Sequence, residues 1–412
     1  MDVRADAFDS VQTTRAKLTP GQVNLVHLAL AMGGFAIGTT EFAAMSLLPY
    51  FAATFGISEP NAGYAISAYA LGVVVGAPVI AVLAAKWSRR TLLITLMTLF
   101  AVFNVMTALS PTYSSMVAFR FLSGLPHGAY FGVAMLVAAS LVPQNARAQA
   151  VGRVLIGLTI ATVVGVPVAT WIGQALGWRS GFGIVGVLAA LTVALIWRFV
   201  PRDPPVEGAS MLRELGALKR PLVWLTLGIG AVGFGGLFAV YTYLATTLMD
   251  VTHVPSYVVP IVLIFFGLGM TVGTYLTGKL ADRALMPTVG GLLLWILFWL
   301  AVYPFSVGNI YAVTLVVFMI GTGGGLGTAL QTRLMDVAGE AQTLAAALNH
   351  SAFNMANALG PWLGGLAIAA GYGWASTGWV GVALAIGGLS FWVISILADP
   401  KSLTAPSHHS HE

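Results

Sequence analysis

Apolar residues run along this chain in long blocks, and polar residues come in short clusters between them. A membrane-spanning helix needs about 20 mostly apolar residues in a row. Blocks of that kind occur at roughly 24–50, 60–84, 91–110, 114–141, 150–176, 180–200, 221–247, 257–281, 288–307, 309–335, 343–371 and 375–398. The pattern predicts twelve spanning helices. Their connections are short, except for RDPPVEGASMLRELGALKRP (202–221), which is polar and basic and lies midway. The expected organisation is a tail at 1–22, a six-helix half at 23–200, a central loop at 201–220, a second six-helix half at 221–398 and a tail at 399–412.

Composition supports a lipid environment. The 412 residues are 58% hydrophobic and only 8% charged, with a mean hydropathy of +0.88. Soluble domains carry about 25% charge, and a single core large enough to bury this much apolar material does not form. The absence of cysteine excludes a disulfide framework, thiolate metal sites and a Cys nucleophile. The net charge of +5 is spread between apolar blocks and does not point to nucleic acid. The N-terminus lacks the basic-then-apolar layout of a cleaved signal peptide and reads as a cytoplasmic tail before an uncleaved first span. The C-terminal SHHSHE reads as a flexible tail, since nothing fixes its histidines as metal ligands.

Orientation follows from Lys and Arg, which collect on the cytoplasmic side. With both tails inside, that side holds Arg4, Arg15, Lys17, Lys86, Arg89, Arg90, Arg147, Arg153, Arg198, Arg202, Arg213, Lys219, Arg220, Lys279, Arg283, Arg333 and Lys401. The outer side holds Arg179, and Arg120 falls within a span. The halves also repeat. Gly72 matches Gly269, Gly76 matches Gly273, Ala81 matches Gly278, Ala85 matches Asp282 and Lys86 matches Arg283, all at an offset of 197 (269 − 72). ATVVGVPVATWIGQALGW (161–178) matches ANALGPWLGGLAIAAGYGW (356–374) at an offset of 195 or 196 (356 − 161, 374 − 178). A six-span repeat with one orientation is the layout of carriers whose halves rock about a central site.

These features resemble the major facilitator superfamily. AVLAAKWSRR (81–90) is similar to that family's loop after the second span, Gly-x-x-x-Asp-Arg/Lys-x-Gly-Arg-Arg, with Ala85 where the family has Asp; GKLADR (278–283) keeps the acid. RFLSGLPHGAYFG (120–132) resembles the family's span-4 motif, and GLTIATVVGVPVATWIGQALGWR (157–179) its Gly-Pro span-5 motif, associated with exporters. GTTEF (38–42), ISAYALGVVVGAP (66–78) and YTYL (241–244) further resemble the arabinose-efflux-permease-like branch of the drug:proton antiporters. The resemblance covers about residues 23–398. It implies an all-α integral membrane fold, with twelve helices in two six-helix pseudo-repeats around a central cavity. It also implies export of a sugar, nucleoside or drug from the bacterial inner membrane in exchange for protons.

Ionisable residues inside a membrane are costly and default to a functional reading. Two lie well inside the predicted spans. Glu41 is about 10 residues from the outer end of span 1, roughly 15 Å deep, and Arg120 about 6 residues into span 4, roughly 9 Å. In the resembled fold both spans face the cavity, so Glu41 and Arg120 are expected as neighbours, directly or through water. Desolvation favours a neutral acid and a nearby arginine favours the carboxylate, a balance that can change with conformation and so carry a proton. His127, seven residues past Arg120 on the same face, extends this proton-coupling group or contacts solute. The alternative is a static ion pair that fixes helix packing.

The candidate solute surface comes mainly from the second half. His350, Asn354 and Asn357 follow i, i+4, i+7 on one face of span 11. Tyr241 and Tyr243 sit two residues apart, so one of them faces the cavity. Gln331 in the second half, and Thr40, Tyr69 and Phe131 in the first, complete the set. Amides, a histidine and aromatics suit a hydroxylated or amide-bearing solute, although interhelical Asn hydrogen bonds are also common. Gly157, Gly165 and Gly173, with Pro167, predict a close-packed, bendable span 5. Lys86, Arg89, Arg90, Asp282 and Arg283 at the cytoplasmic mouth are candidate gate contacts.

GTYLTGKL (273–280) starts like a phosphate-binding loop but has Leu280 where Ser or Thr is required, and it ends a membrane helix rather than following a strand. No nucleotide or metal cofactor is expected, which leaves a proton gradient as the energy source. The expected partners are the lipid bilayer, protons and a small-molecule substrate, with a monomer as the functional unit. Proton-coupled import or passive facilitation is the nearest alternative. A membrane sensor is less favoured, and an enzyme least, since HExxH, Gly-x-Ser-x-Gly and paired acids on one span are lacking.

Overall fold

The computed structural model describes residues 18–84, 87–143, 146–202, 218–338 and 342–403. Each of the twelve apolar blocks forms a helix, and no strand occurs among the described residues. In the first half these are α1 (Pro20–Ser46, continued by a short helix Leu48–Phe55), α2 (Tyr64–Leu83), α3 (Arg89–Ala108), α4 (Tyr113–Ser140), α5 (Arg147–Ile160 and Val166–Leu176) and α6 (Trp178–Phe199). In the second half they are α7 (Pro221–Gly233 and Gly235–Thr242), α8 (Val259–Ala281), α9 (Leu285–Ser306), α10 (Ile310–Thr322 and Leu326–Ala338), α11 (Gln342–Ala367) and α12 (Ser376–Ala398).

Eleven of these helices are long and apolar enough to cross a bilayer. The remaining one, α11, is long enough at 26 residues. Its amides and histidine make it too polar to qualify by hydropathy, which is what a helix with one face on a polar interior should look like.

The ends are fixed by local chemistry. Thr19 and Gln22 form a capping box at α1, with Pro20 in its first turn, so two otherwise orphaned N–H groups are satisfied. Thr112 and Ser115 do the same at α4. Ser88 caps α3, and Asn309 caps α10.

Packing then follows the glycines. A methyl group on Gly72 of α2 would lie 2.1 Å from the Phe121 carbonyl oxygen on α4, and one on Gly76 would lie 2.1 Å from that of Leu125. In the second half, a methyl on Gly269 of α8 would meet the Phe318 carbonyl on α10 at 2.2 Å, and one on Gly273 that of Thr322 at 1.9 Å. The packing partners obey the sequence offset too (318 − 121 and 322 − 125 are both 197). The repeat read from the sequence is therefore a repeat of helix–helix contacts. Only a residue without a side chain lets the backbones approach this closely.

The halves meet chiefly where α2 packs on α11 and α5 on α8. α5 is interrupted by a π turn, Ala161–Gly165, just before Pro167. Proline cannot donate the usual helical hydrogen bond, and a π turn is a common accommodation at such a break. The glycines expected to pack there do so. A methyl on Gly157 would lie 1.9 Å from the Ala31 carbonyl oxygen, and one on Gly165 would lie 2.2 Å from Thr39 Oγ1, both on α1. Gly173 abuts Leu47.

The end bearing Arg89, Arg90, Arg147 and Arg283 is called the arginine-rich end below, and the opposite one the arginine-poor end. The halves close on each other at the arginine-poor end. Thr246 donates to the Glu59 carboxylate, Gln174 Nε2 donates to the Ser256 carbonyl at 2.9 Å, and the Tyr50 hydroxyl approaches Met249 Sδ at 3.9 Å. Tyr243 sits between Gly63 of one half and Gly365 of the other and donates to the Pro361 carbonyl at 2.8 Å.

Candidate functional site

A polar cluster fills the middle of the interface between the halves. α1 delivers Thr40 and Glu41, α2 Tyr69, α3 Asn104, α4 Arg120 and His127, and α11 Asn354 and Asn357; all eight are buried. Glu41 and Arg120 were expected as neighbours, directly or through water, and the direct form is not the one seen. No ion pair joins them among the described residues. Arg120 donates from Nη1 to Thr40 Oγ1 at 3.2 Å, and Thr40 donates onward to Asn104 Oδ1 at 2.8 Å. Asn104 in turn donates to the Phe100 carbonyl at 2.8 Å. The guanidinium lies 4.1 Å over the Tyr69 ring and 5.4 Å from that of Phe182. A ring face stabilises a desolvated cation without neutralising it. Arg120 therefore stays a net positive charge close to Glu41 without being consumed by it.

Glu41 instead accepts a 3.1 Å hydrogen bond from Asn357 Nδ2. This bond joins α1 of the first half to α11 of the second. It gives the buried carboxyl a partner that moves if the halves move.

Tyr69 ties the first-half groups together. Its ring carries Arg120, and its hydroxyl meets His127 Nδ1 at 2.9 Å. The expected shared face of Arg120 and His127 is thus realised through one tyrosine. The His127 ring approaches His350 across the interface, with centroids 6.1 Å apart, and Phe131 stacks on His350 at 5.0 Å and 6°. The repeat offset equates Tyr69 with Phe266 of α8. Phe266 packs instead on Tyr241 at 4.3 Å, and Phe42 of α1 contacts both Tyr241 and Phe266. The two halves share a packing plan, but the charged lining belongs to the first.

Several buried polar atoms here have no protein partner: Nε and Nη2 of Arg120, and Oδ1 of both Asn354 and Asn357. Asn354 turns its Nδ2 back onto the His350 carbonyl of its own helix at 3.0 Å. Buried polar atoms are nearly always satisfied by protein, water or ligand. Donors on one half and acceptors on the other, left without a protein partner, suit a hydroxyl- or amide-bearing molecule bound between them.

Other sequence candidates fall elsewhere. Tyr243 belongs to the closed arginine-poor end and not to the central cluster, because the 241–243 spacing turns it away from Tyr241. Gln331 is half-buried on the second piece of α10 and makes no hydrogen bond to the cluster. Lys86 lies outside the described residues. Arg89 starts α3, and Arg90 donates to the Trp197 carbonyl of α6 within its own half. Asp282 and Arg283 follow α8 directly, with Asp282 as its C-cap.

Sequence reasoning missed Asn104, the Glu59–Thr246 contact and a third buried charge. Asn104 was legible as the single amide in the third apolar block. Arg333, read from the sequence as part of the cytoplasmic charge surplus, is 6% exposed and pairs with Asp399 at 2.8 Å. That pair links α10 to the end of α12, and nothing local in the sequence announces it.

Twelve membrane helices in two equivalent halves, with a polar cluster buried where they meet, define a membrane carrier. The chain belongs to the Major Facilitator Superfamily, whose family model matches residues 30–349. It is 40% identical over 355 residues to the inner membrane transport protein YdhP of Escherichia coli K12, covering 86% of this chain and 91% of that one. It is 33% identical over 338 residues to a chloramphenicol resistance protein of Streptomyces lividans, covering 81% and 86%. In fold it resembles the crystal structure of a bacterial homologue of the human lysosomal transporter Spinster. That match has a TM-score of 0.68 at 18% identity and covers 94% of this chain and all of the other.

Proposed function

We propose that this transporter exports a small organic solute from the cytoplasm in exchange for protons, by alternating access in a bacterial inner membrane. The observation that carries the reading is the Glu41–Asn357 hydrogen bond across the interface. A proton-coupling acid must sense which way the carrier faces, and this one has its hydrogen-bond partner on the opposite half. When the arginine-poor end opens, α1 and α11 separate there, and Glu41 exchanges an amide donor for water. Arg120 stays beside it, held by Thr40 and Tyr69 of the same half. The carboxyl therefore meets a constant cation and a variable donor, and its proton affinity follows the conformation. His127, linked to Arg120 through Tyr69, takes a proton from the same cluster or gives one to it.

The solute binds between the halves, against the unpartnered atoms of Arg120, Asn354 and Asn357, with His350, Phe131 and Tyr241 supplying ring faces. A hydroxylated or amide-bearing molecule matches that chemistry: a sugar, a nucleoside or an amphenicol-type drug. The chloramphenicol resistance relative supports the last class, and the excess of Lys and Arg at one end supports cytoplasmic termini. The proton gradient is the only energy source required, and one chain holds a complete site.

The test uses inside-out vesicles containing the protein, energised to an acid interior and read with an internal pH dye. Pentoses, galactosides, nucleosides and amphenicols are added in turn. One compound is expected to dissipate the gradient with the wild type and not with Glu41→Gln. If a labelled solute moves equally with and without the gradient, and Glu41→Gln matches the wild type, the carrier is passive and Glu41 is structural. Solute uptake into intact cells driven by the gradient would make it an importer.

A further inference from the structure

A cavity lies away from the central cluster, on the flank of α1 and α5 near the arginine-rich end. It has a volume of about 420 Å³ and lies among Leu28, Met32 and Phe35 of α1 and Ile156 and Ile160 of α5, with Arg153 at its mouth. Leu28, Ile156 and Ile160 are about half exposed. The face of α5 that carries Ile156 and Ile160 continues through Val164, Val168 and Trp171, all exposed as well. Val168 and Trp171 lie where the halves are closed on each other, so this face looks out at the bilayer and not into the central site.

The mouth has a different character. Arg153 donates from Nη1 to Asn24 Oδ1 at 3.0 Å and lies 3.3 Å from His27 Nδ1. His27 in turn contacts the Ala138 carbonyl of α4 through Nε2 at 3.4 Å. Among the described residues, no carboxylate pairs with Arg153. It sits six residues into α5, roughly 9 Å along the helix, the depth at which an arginine reaches the headgroup region of the adjacent leaflet. An apolar groove open to lipid, ending in a hydrogen-bonded but unneutralised guanidinium, matches one ligand shape: an anionic head on an acyl chain. Basic pockets between membrane helices recognise such headgroups.

We propose that the α1–α5 groove is a binding site for one anionic phospholipid of the leaflet at the arginine-rich end. Arg153 and Asn24 hold the phosphate, and Leu28, Met32, Ile156 and Ile160 line the acyl chain. The occupied groove braces α1 against α5 just below the π turn at Ala161–Gly165. The lipid would therefore set how freely the first half bends around Gly165 and Pro167.

The test is native mass spectrometry of the purified protein, titrated separately with phosphatidylglycerol and phosphatidylethanolamine. The wild type is expected to retain one phosphatidylglycerol in preference to phosphatidylethanolamine. Arg153→Gln should weaken that retention roughly fivefold, the worth of one basic residue against an anionic leaflet. Ile156→Trp, which fills the groove and leaves Arg153 in place, should also reduce it, so a fold defect in one variant does not decide the matter. Glycerol phosphate added at the same concentration should not displace the lipid. Equal retention of both lipids, unchanged retention in both variants, or displacement by glycerol phosphate alone would overturn the proposal. Displacement by a transported solute would also overturn it, by making the groove part of the solute path.

Discussion

Replacing Asn357 with leucine tests the cross-interface bond most directly. Glu41 is 7% exposed and Asn357 fully buried, so their 3.1 Å hydrogen bond is not in competition with bulk water. A net hydrogen bond is worth about 1 kcal/mol between neutral groups and about 1.5–3 kcal/mol when one is charged. At about 1.4 kcal/mol per factor of ten, its loss should shift the ratio of open to closed arginine-poor ends by about 5-fold to 100-fold. Leucine keeps the branching at Cγ and also removes the unpartnered Asn357 Oδ1, so general unfolding is not the expected outcome. The chain has no cysteine, and spin labels can therefore be placed at introduced cysteines alone. Ala53 and Tyr257 are exposed at the arginine-poor end, on opposite halves. Pulsed electron-spin distance measurement between them should show a longer component growing in Asn357→Leu without solute. An unchanged distribution in a folded variant would mean that the bond does not discriminate between conformations, and the coupling argument built on it would fail.

Thr246→Val removes another contact between the halves, to the Glu59 carboxylate, and should lengthen the same label distance by the same logic. Tyr69→Phe removes the 2.9 Å contact with His127 but keeps the ring beneath Arg120. It should cost about 1 kcal/mol and alter the pH profile of transport, whereas Tyr69→Leu, which also loses the cation–ring contact, should lower the melting temperature further. Gly72→Ala and its repeat counterpart Gly269→Ala place a methyl 2.1 Å and 2.2 Å from a carbonyl oxygen. Both should reduce the monodisperse folded fraction seen by fluorescence size-exclusion chromatography, and an effect at only one of them would contradict the equivalence of the halves. Asp399→Asn leaves Arg333 buried without its charge partner; an uncompensated buried charge costs up to about 3–5 kcal/mol, reduced here by the part-exposure of Asp399, and a lower thermal midpoint is the readout.

The number of helices, their approximate limits and the six-plus-six repeat were legible in the sequence for a simple reason. Lipid contact imposes an apolar residue at most positions of a span, so each helix writes its own length. Glycine pairs at a constant offset were legible too, because close backbone approach tolerates no other residue. Glu41, Arg120, His127 and the α11 stripe stood out because polar groups are rare in such blocks. What each of them touches was not legible. Glu41 and Asn357 are 316 residues apart, and Arg333 and Asp399 are 66 apart.

By itself, then, the sequence determined that this is a twelve-helix membrane carrier with its ionisable cluster in the first half. Only the tertiary structure decided that Glu41 bonds across the interface while Arg120 is held within its own half on Thr40 and Tyr69. It also moved Tyr243 to the closed end and buried Arg333 against Asp399. The physical reason is that hydropathy and helical period are properties of one segment, whereas the partner of a desolvated polar atom is chosen by how separate helices pack.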